Sequence, residues 1–332
     1  MKPRTTLLIG LAGALLIAVT AVFTPGCTCG PETRTPPTKV DHLEYHGWTN
    51  ALRLFNPQAQ VIVVPEIGRV MSFRLTSGEN IFWEDRSLDG KGGDQTGKEW
   101  INFGGDKTWP APEADWGKHT GRKEWMPPAA FDSMPVKASI EGNEVVLTSP
   151  VDPDYGIRTI RRVRLFGDSL HIETSYERVS GEPSKVGVWV ITQFKEPVAI
   201  CVAARTNSVF AGGYYIFGNE PWPQLERKAR HIVMTRDPKS PHKMGTDTRQ
   251  LLWIGERETC FITSWSQGNE YPDRGASAEV YTNPDPKKYV ELETLGPLSW
   301  MKPGDRVKET QNYLLQKRDG RSLEEEFRRV SF

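Results

Sequence analysis

Cysteine is scarce in this chain. Four occur in 332 residues, at positions 27, 29, 201 and 260. None forms a Cys-x-x-Cys pair or stands at a zinc-type distance from a histidine, so no metal and no cofactor is expected. Excess charge is also lacking: 42 basic residues balance 42 acidic ones. Without a basic stripe, nucleic acid is excluded as an expected partner. Long stretches of helical periodicity are missing, and no segment repeats at a fixed period. The chain has no Ser-His-Asp order, no phosphate loop and no dinucleotide fingerprint, which removes the commonest hydrolase and nucleotide-binding classes.

Tryptophan and proline, by contrast, are plentiful, at 11 and 25 residues. Many tryptophans in a loop-rich globular protein suit stacking on sugar rings, and equally suit core packing. The 37% hydrophobic content supports a sizeable core. Lys2 and Arg4 precede an uncharged apolar run from Thr5 to Phe23, and Thr24-Pro25-Gly26-Cys27 follows. A charged start, an apolar stretch and a small residue before a break describe an export signal over residues 1–26. Gly26-Cys27 resembles the end of a lipoprotein signal, with Thr24 and Pro25 in place of the usual Leu and small residue, so Cys27 is the expected lipidation site. Ordinary cleavage and an uncleaved membrane anchor are the alternatives. Each places the folded part outside the cytoplasm, at a bacterial cell surface or in the periplasm. Residues 27–39 read as a Pro/Thr-rich tether, and residues 40–332 as a single folded domain.

Within that domain, strand signals recur. They cover Gln60–Val64, Val70–Leu75, Glu144–Leu147, Ile157–Phe166, Ser169–Glu177, Val186–Phe194, Val198–Ala203, His231–Met234, Leu251–Ile254, Cys260–Ser264, Glu279–Tyr281, Tyr289–Leu295 and Arg306–Leu315. Gly167-Asp168 links two of them as a hairpin. One late helix is expected, because Ser322 and Glu325 form a capping box ahead of Phe327 and Val330. More than ten strands with few helices predict an all-β sandwich or barrel. Two long irregular insertions, residues 84–135 and 218–249, are the places where a β scaffold carries function.

The most distinctive stretch is Gly104-Gly105-Asp106-Lys107-Thr108-Trp109-Pro110-Ala111-Pro112-Glu113. Two glycines and two prolines predict a stiff irregular loop. Such a loop would present Asp106, Lys107 and Trp109 to a polar, ring-shaped ligand. The plainer reading is a surface ion pair between Asp106 and Lys107, with Trp109, Trp116, Trp125 and Trp222 either stacking on sugar or plugging loop bases. His42, Glu44 and His46 alternate on one strand, as metal ligands would, but a solvated face is expected there. Arg158, Arg161, Arg162 and Arg164 read as a polar outer face. Cys201 and Cys260 either pair or remain buried thiols.

Three segments resemble the galactose-mutarotase-like superfamily. At the start these are Trp48–Leu54, Val61–Pro65 and Gly68-Arg69-Val70. At the end they are Glu291–Pro297 and Met301–Asp305. Gly104–Pro112, with Asn102 before it, resembles a subgroup of exported or lipid-anchored domains, the DUF4380 type. The likeness spans most of residues 40–318. It implies an antiparallel β-supersandwich with long loop insertions that binds carbohydrate through Asn102, Asp106, Lys107, Trp109 and Gln193. In aldose epimerases of this superfamily a carboxylate removes the anomeric proton and a histidine protonates the ring oxygen. The carboxylate maps onto Glu293, with Glu291 as the alternative, since Tyr289, Glu291 and Glu293 share a strand face. The histidine position maps onto Gln193, which cannot titrate; Lys107 or His171 would have to substitute. The resemblance therefore implies sugar binding without standard epimerase chemistry. The alternatives are an epimerase-like enzyme with Glu293 as base, or an interaction module of the cell envelope.

Overall fold

The computed structural model describes residues 37–96, 98–218 and 220–329. Cys27, the export signal and Val330 lie outside them. Lys39, assigned above to the tether, already belongs to the first strand.

Two large sheets form the molecule, and every pairing between their strands is antiparallel. The first sheet runs in the order Lys39–Tyr45, Trp48–Phe55, Ala59–Val64, Arg69–Leu75, Asp106–Ala111, Ser184–Lys195, Tyr289–Leu295, Ala278–Thr282, His242–Thr246, Tyr215–Ile216. The second runs Leu225–Arg227, His231–Met234, Ala199–Ala203, Gln250–Ile254, Glu258–Trp265, Arg306–Lys317, Ser169–Arg178, Ile157–Phe166, Glu144–Val151, Lys137–Glu141. This is the expected β-sandwich with few helices.

The hairpin at Gly167 shows why the sequence folds this way. Burial alternates along both arms, so Val163, Leu165, Leu170 and Ile172 enter the core while their neighbours face outward. Gly167 takes φ 60, a conformation that favours glycine, and pairs Phe166 with Ser169. The main core lies between the sheets, where Phe73, Phe82, Phe194 and Val290 of one meet Val163, Ile172 and Tyr313 of the other. The late helix Leu323–Phe327 begins with the expected reciprocal Ser322–Glu325 capping box.

The stretch from Gly104 is not a loop. After Gly105 it becomes the strand Asp106–Ala111, all six residues of which are buried in the middle of the first sheet. The glycines make the entry possible: a Cβ on Gly104 would stand 2.1 Å from the Trp83 carbonyl oxygen. Pro110 is tolerated because only Asp106 pairs with the Arg69–Leu75 strand. Beyond it, the Ser184–Lys195 strand is the one strand partner. The 218–249 insertion likewise contains strands, including His242–Thr246 of the first sheet.

Three other expectations resolve. Arg158, Arg162 and Arg164 do face outward, paired with Glu177, Glu141 and Glu144. Arg161 instead points into the core and is 2% exposed. Cys201 and Cys260 are free buried thiols packed in different apolar clusters. His46 leaves its strand for a turn at φ 51 and meets the Arg86 guanidinium. Among the described residues, no set of three or more His, Cys, Asp or Glu could hold a metal ion.

Candidate functional site

Register builds the site. Four strands align Lys107, Ile191, Glu293 and Glu279 in one row across the first sheet, ending at Gly245. Two residues along each strand, a second row holds Gln193, Glu291, Tyr281 and Lys243. Because side chains alternate, both rows lie on the face turned away from the inter-sheet core. Trp109 and Trp189 form a third row beside them.

Polar contacts tie these rows together. Trp189 Nε1 donates to Glu293 Oε2 at 2.7 Å, and Gln193 Nε2 donates to Glu291 Oε1 at 2.6 Å. Lys243 Nζ lies 2.6 Å from Glu279 Oε2 and 3.2 Å from Glu293 Oε2. Asp132, on the short helix Ala129–Asp132, accepts from Arg69 Nη2 at 2.9 Å and from Trp109 Nε1 at 2.8 Å. Lys107 Nζ stands 3.8 Å from the same carboxylate oxygen, too far for a hydrogen bond.

Aromatic rings wall the site. Trp100, Trp116, Trp125 and Trp189 all pack around Trp109, with ring centroids 5.3–6.2 Å from its own. The Lys107 ammonium lies 3.9 Å from the Trp109 ring centroid and 5.0 Å from that of Trp100. These are cation–π contacts, which compensate a buried ammonium only in part. Trp83 packs against Tyr289 at 4.6 Å on the opposite flank.

Burial drives the electrostatics. It pulls the Lys107 ammonium down to about 8, and the neighbouring Arg69 charge adds to the shift, while Asp132, Glu291 and Glu293 oppose it. Burial likewise opposes the Lys243 charge, but Glu293 and Glu279 outweigh it and hold that pKa above the ordinary lysine value. Glu279 and Glu291 are both raised, by burial first. Repulsion from Glu293 adds to both shifts. Four buried polar atoms in the two rows have no protein hydrogen-bond partner: Lys107 Nζ, Gln193 Oε1, Glu279 Oε1 and Glu293 Oε1.

The structure therefore brings Lys107, Trp109, Gln193, Glu291 and Glu293 together. Asn102 stands at the edge, where its Oδ1 accepts from Gly104 N at 3.3 Å and its side chain meets Tyr289. Asp106 does not join them. Strand alternation turns it to the opposite face, where it binds Thr192, Tyr313 and Arg161 between the sheets. The surface ion pair with Lys107 is excluded by the same alternation. His171 lies on the second sheet beside Arg164 and Glu173, so of the two substitute acids only Lys107 stands near Glu293. Trp116 and Trp125 belong to the aromatic wall, whereas Trp222 stacks on His242 elsewhere. Sequence reasoning missed Lys243, Glu279, Asp132, Trp100 and Trp189 as site residues. Of these, Glu279 and Trp189 lay in expected strands, but only the pairing register shows that Glu279 faces Glu293 and Trp189 faces Trp109.

No family model matches this chain, and no curated protein does. Solved structures do match. A galactose mutarotase-like protein from Lactobacillus casei superposes with a TM-score of 0.58 at 8% identity, covering 80% of this chain and 100% of its own. The Slr1438 protein from Synechocystis gives 0.53 at 14% identity, with 85% and 97% covered. A galactose mutarotase-like protein from Clostridium acetobutylicum gives 0.53 at 11%, with 85% and 99% covered. The chain thus has the galactose mutarotase-like fold.

Proposed function

We propose that this chain, built on a mutarotase-like fold, binds a carbohydrate on the Lys107–Glu293 face without standard epimerase chemistry. The observation that carries this reading is the set of four unpartnered buried atoms. Three are acceptors (Gln193 Oε1, Glu279 Oε1 and Glu293 Oε1), and one, Lys107 Nζ, is a donor. Buried polar atoms are seldom left unpaired. A ligand that satisfies this set must donate several hydrogen bonds and accept at least one. Adjacent hydroxyls on a sugar ring do both, and the tryptophan wall suits the apolar face of that ring. Glutamine at position 193, bonded to Glu291, cannot deliver a proton to a ring oxygen.

The test is calorimetric titration and thermal shift of the purified protein with neutral monosaccharides and oligosaccharides. A bound sugar raises stability by about 2.7 kcal/mol at a hundredfold excess over Kd. Glu293→Gln should weaken that binding at least tenfold. A panel in which no neutral sugar binds would refute the reading.

One observation favours a second reading. Lys107 has a pKa near 8 and shares a row with Glu293. In that reading Glu293 takes the proton from the anomeric hydroxyl and Lys107 returns one to the ring oxygen, opening the ring. Following the optical rotation of fresh α-glucose or α-galactose separates the two. The binding reading expects the buffer rate; the enzymatic reading expects acceleration that Lys107→Met abolishes.

We further propose that the domain is exported, of the DUF4380 type, and lipid-anchored through Cys27. The supporting pattern is the charged start, the apolar run Thr5–Phe23 and the Gly26-Cys27 end.

A further inference from the structure

A polar cavity, about 570 Å³ in volume, is lined by Arg205, Arg249, Arg274, Gln250 and Tyr271. Its charge differs from that of the glutamate-rich face. Asp247 is the one lining carboxylate, and it is already engaged. It accepts from Ser208 Oγ at 2.7 Å and Val209 N at 3.0 Å, and lies 3.5 Å from Arg205. Neither Arg249 nor Arg274 has a carboxylate within ion-pair distance among the described residues. Arg249 gives one hydrogen bond, from Nη2 to Ser266 Oγ at 3.0 Å, and its guanidinium lies 5.2 Å from the Tyr271 ring centroid. The buried Glu309 is the acid that acts on Arg249 electrostatically, from beyond ion-pair distance.

Two features suggest that the arrangement is built rather than incidental. Asp273 and Arg274 hold φ 48 and 65, a costly conformation for consecutive non-glycine residues. Tyr215 pins that turn by donating its hydroxyl to the Asp273 carbonyl at 2.9 Å, and the Arg274 guanidinium lies 5.1 Å from the Tyr215 ring centroid. The second feature is Gln250, whose Oε1 is buried at the cavity wall with no protein partner. A simple anion would meet the guanidinium donors but not this acceptor. A ligand with both an acidic group and a hydroxyl would meet both.

We infer that this cavity is a second binding site, for an acidic saccharide: its carboxylate or sulfate ester takes the Arg249 and Arg274 donors, a hydroxyl donates to Gln250 Oε1, and Tyr271 supplies the aromatic wall. The acidic group belongs here because Glu279, Glu291 and Glu293 would repel it on the other face.

Glucuronate, glucose 6-sulfate, glucose and sodium sulfate serve as probes in calorimetric titrations of the whole chain. Glucuronate or glucose 6-sulfate should bind through this site, and the better of the two identifies the acidic group. Arg274→Ala and Arg249→Met should each weaken that binding about tenfold or more, since charge-assisted hydrogen bonds are lost. Arg274 is exposed, so its variant keeps the fold even if Arg249→Met does not. Gln250→Leu should weaken the acidic sugars but leave sulfate unchanged. Glu293→Gln should leave acidic-sugar binding intact, so failure of neutral-sugar binding on the first face does not touch this inference. It is overturned if glucose binds the Glu293→Gln variant as tightly as the acidic sugars do, if Arg274→Ala keeps full affinity, or if sulfate alone matches both acidic sugars.

Discussion

Removing the Asp132 carboxylate should destabilise the protein far more than removing a surface acid of the same type. Asp132 receives Arg69 at 2.9 Å and Trp109 at 2.8 Å, with Lys107 at 3.8 Å. The side chains of Arg69, Lys107 and Asp132 are 0%, 1% and 2% exposed. Asp132→Ala leaves two buried cations without their counter-charge. Breaking a buried pair in this way costs about 3–5 kcal/mol. The orphaned Trp109 N–H adds about 1 kcal/mol. Lys107 can recover part of this by losing its proton, because its pKa already lies near 8. The net expectation is a loss of about 4 kcal/mol at pH 7. Asp132→Asn keeps an acceptor for Trp109 and should lose less. The comparison is Asp41→Ala, which breaks a pair with Arg53 whose side chains are 33% and 41% exposed. That change should cost under about 1 kcal/mol. Urea unfolding followed by tryptophan fluorescence measures all three variants. Equal losses for Asp132→Ala and Asp41→Ala would refute the claim that a buried charge network holds this face together.

The remaining predictions concern titration, thiols and location. Lys107 has a folded pKa of about 8, below the unfolded lysine value, so protonation favours the unfolded chain. Its contribution is therefore most favourable above the unfolded pKa and is lost as pH falls through about 8. The stability of wild type relative to Lys107→Met should rise by about 3 kcal/mol between pH 7.5 and 10.5, read from urea midpoints; a flat difference would contradict the burial argument. Cys201 and Cys260 are buried, and burial raises both thiols, Cys201 to about 12. At pH 8 neither should react with a thiol reagent until denaturant is added; rapid labelling of the native protein would count against their packing. Cys27→Ala should move the protein from the membrane to the soluble fraction when it is expressed in a bacterium, and an unchanged distribution would remove lipidation from the proposal.

Much of the architecture was legible because strands carry their own signature. Alternating apolar residues from Ile157 to Glu177, broken by Gly167-Asp168, predict a hairpin without further information, and the hairpin is present. The Ser322–Glu325 capping box is a local hydrogen-bond pattern, and it forms where the residues predict. The Gly104–Pro112 segment was misread for an equally physical reason. Glycine and proline argue for a loop when judged by local propensity, but pairing with Gly187–Thr192 overrides that propensity and makes the segment a central strand.

By itself, the sequence determined the class of fold, the hairpins, the late helix and the identity of several acids and aromatics that serve the candidate site. These depend on periods of two residues and on short-range hydrogen bonds, which a linear chain displays. Tertiary structure alone decided which of them meet. The register across four strands sets Lys107 in one row with Glu293, one strand apart, and the odd–even alternation of one strand sends Asp106 to the opposite side of the sheet. Lys243 and Glu279 join the site by the same register, Glu279 from an expected strand and Lys243 from one that the sequence did not signal. Pairing partners are chosen by packing between residues far apart in the chain, so no local pattern carries that information.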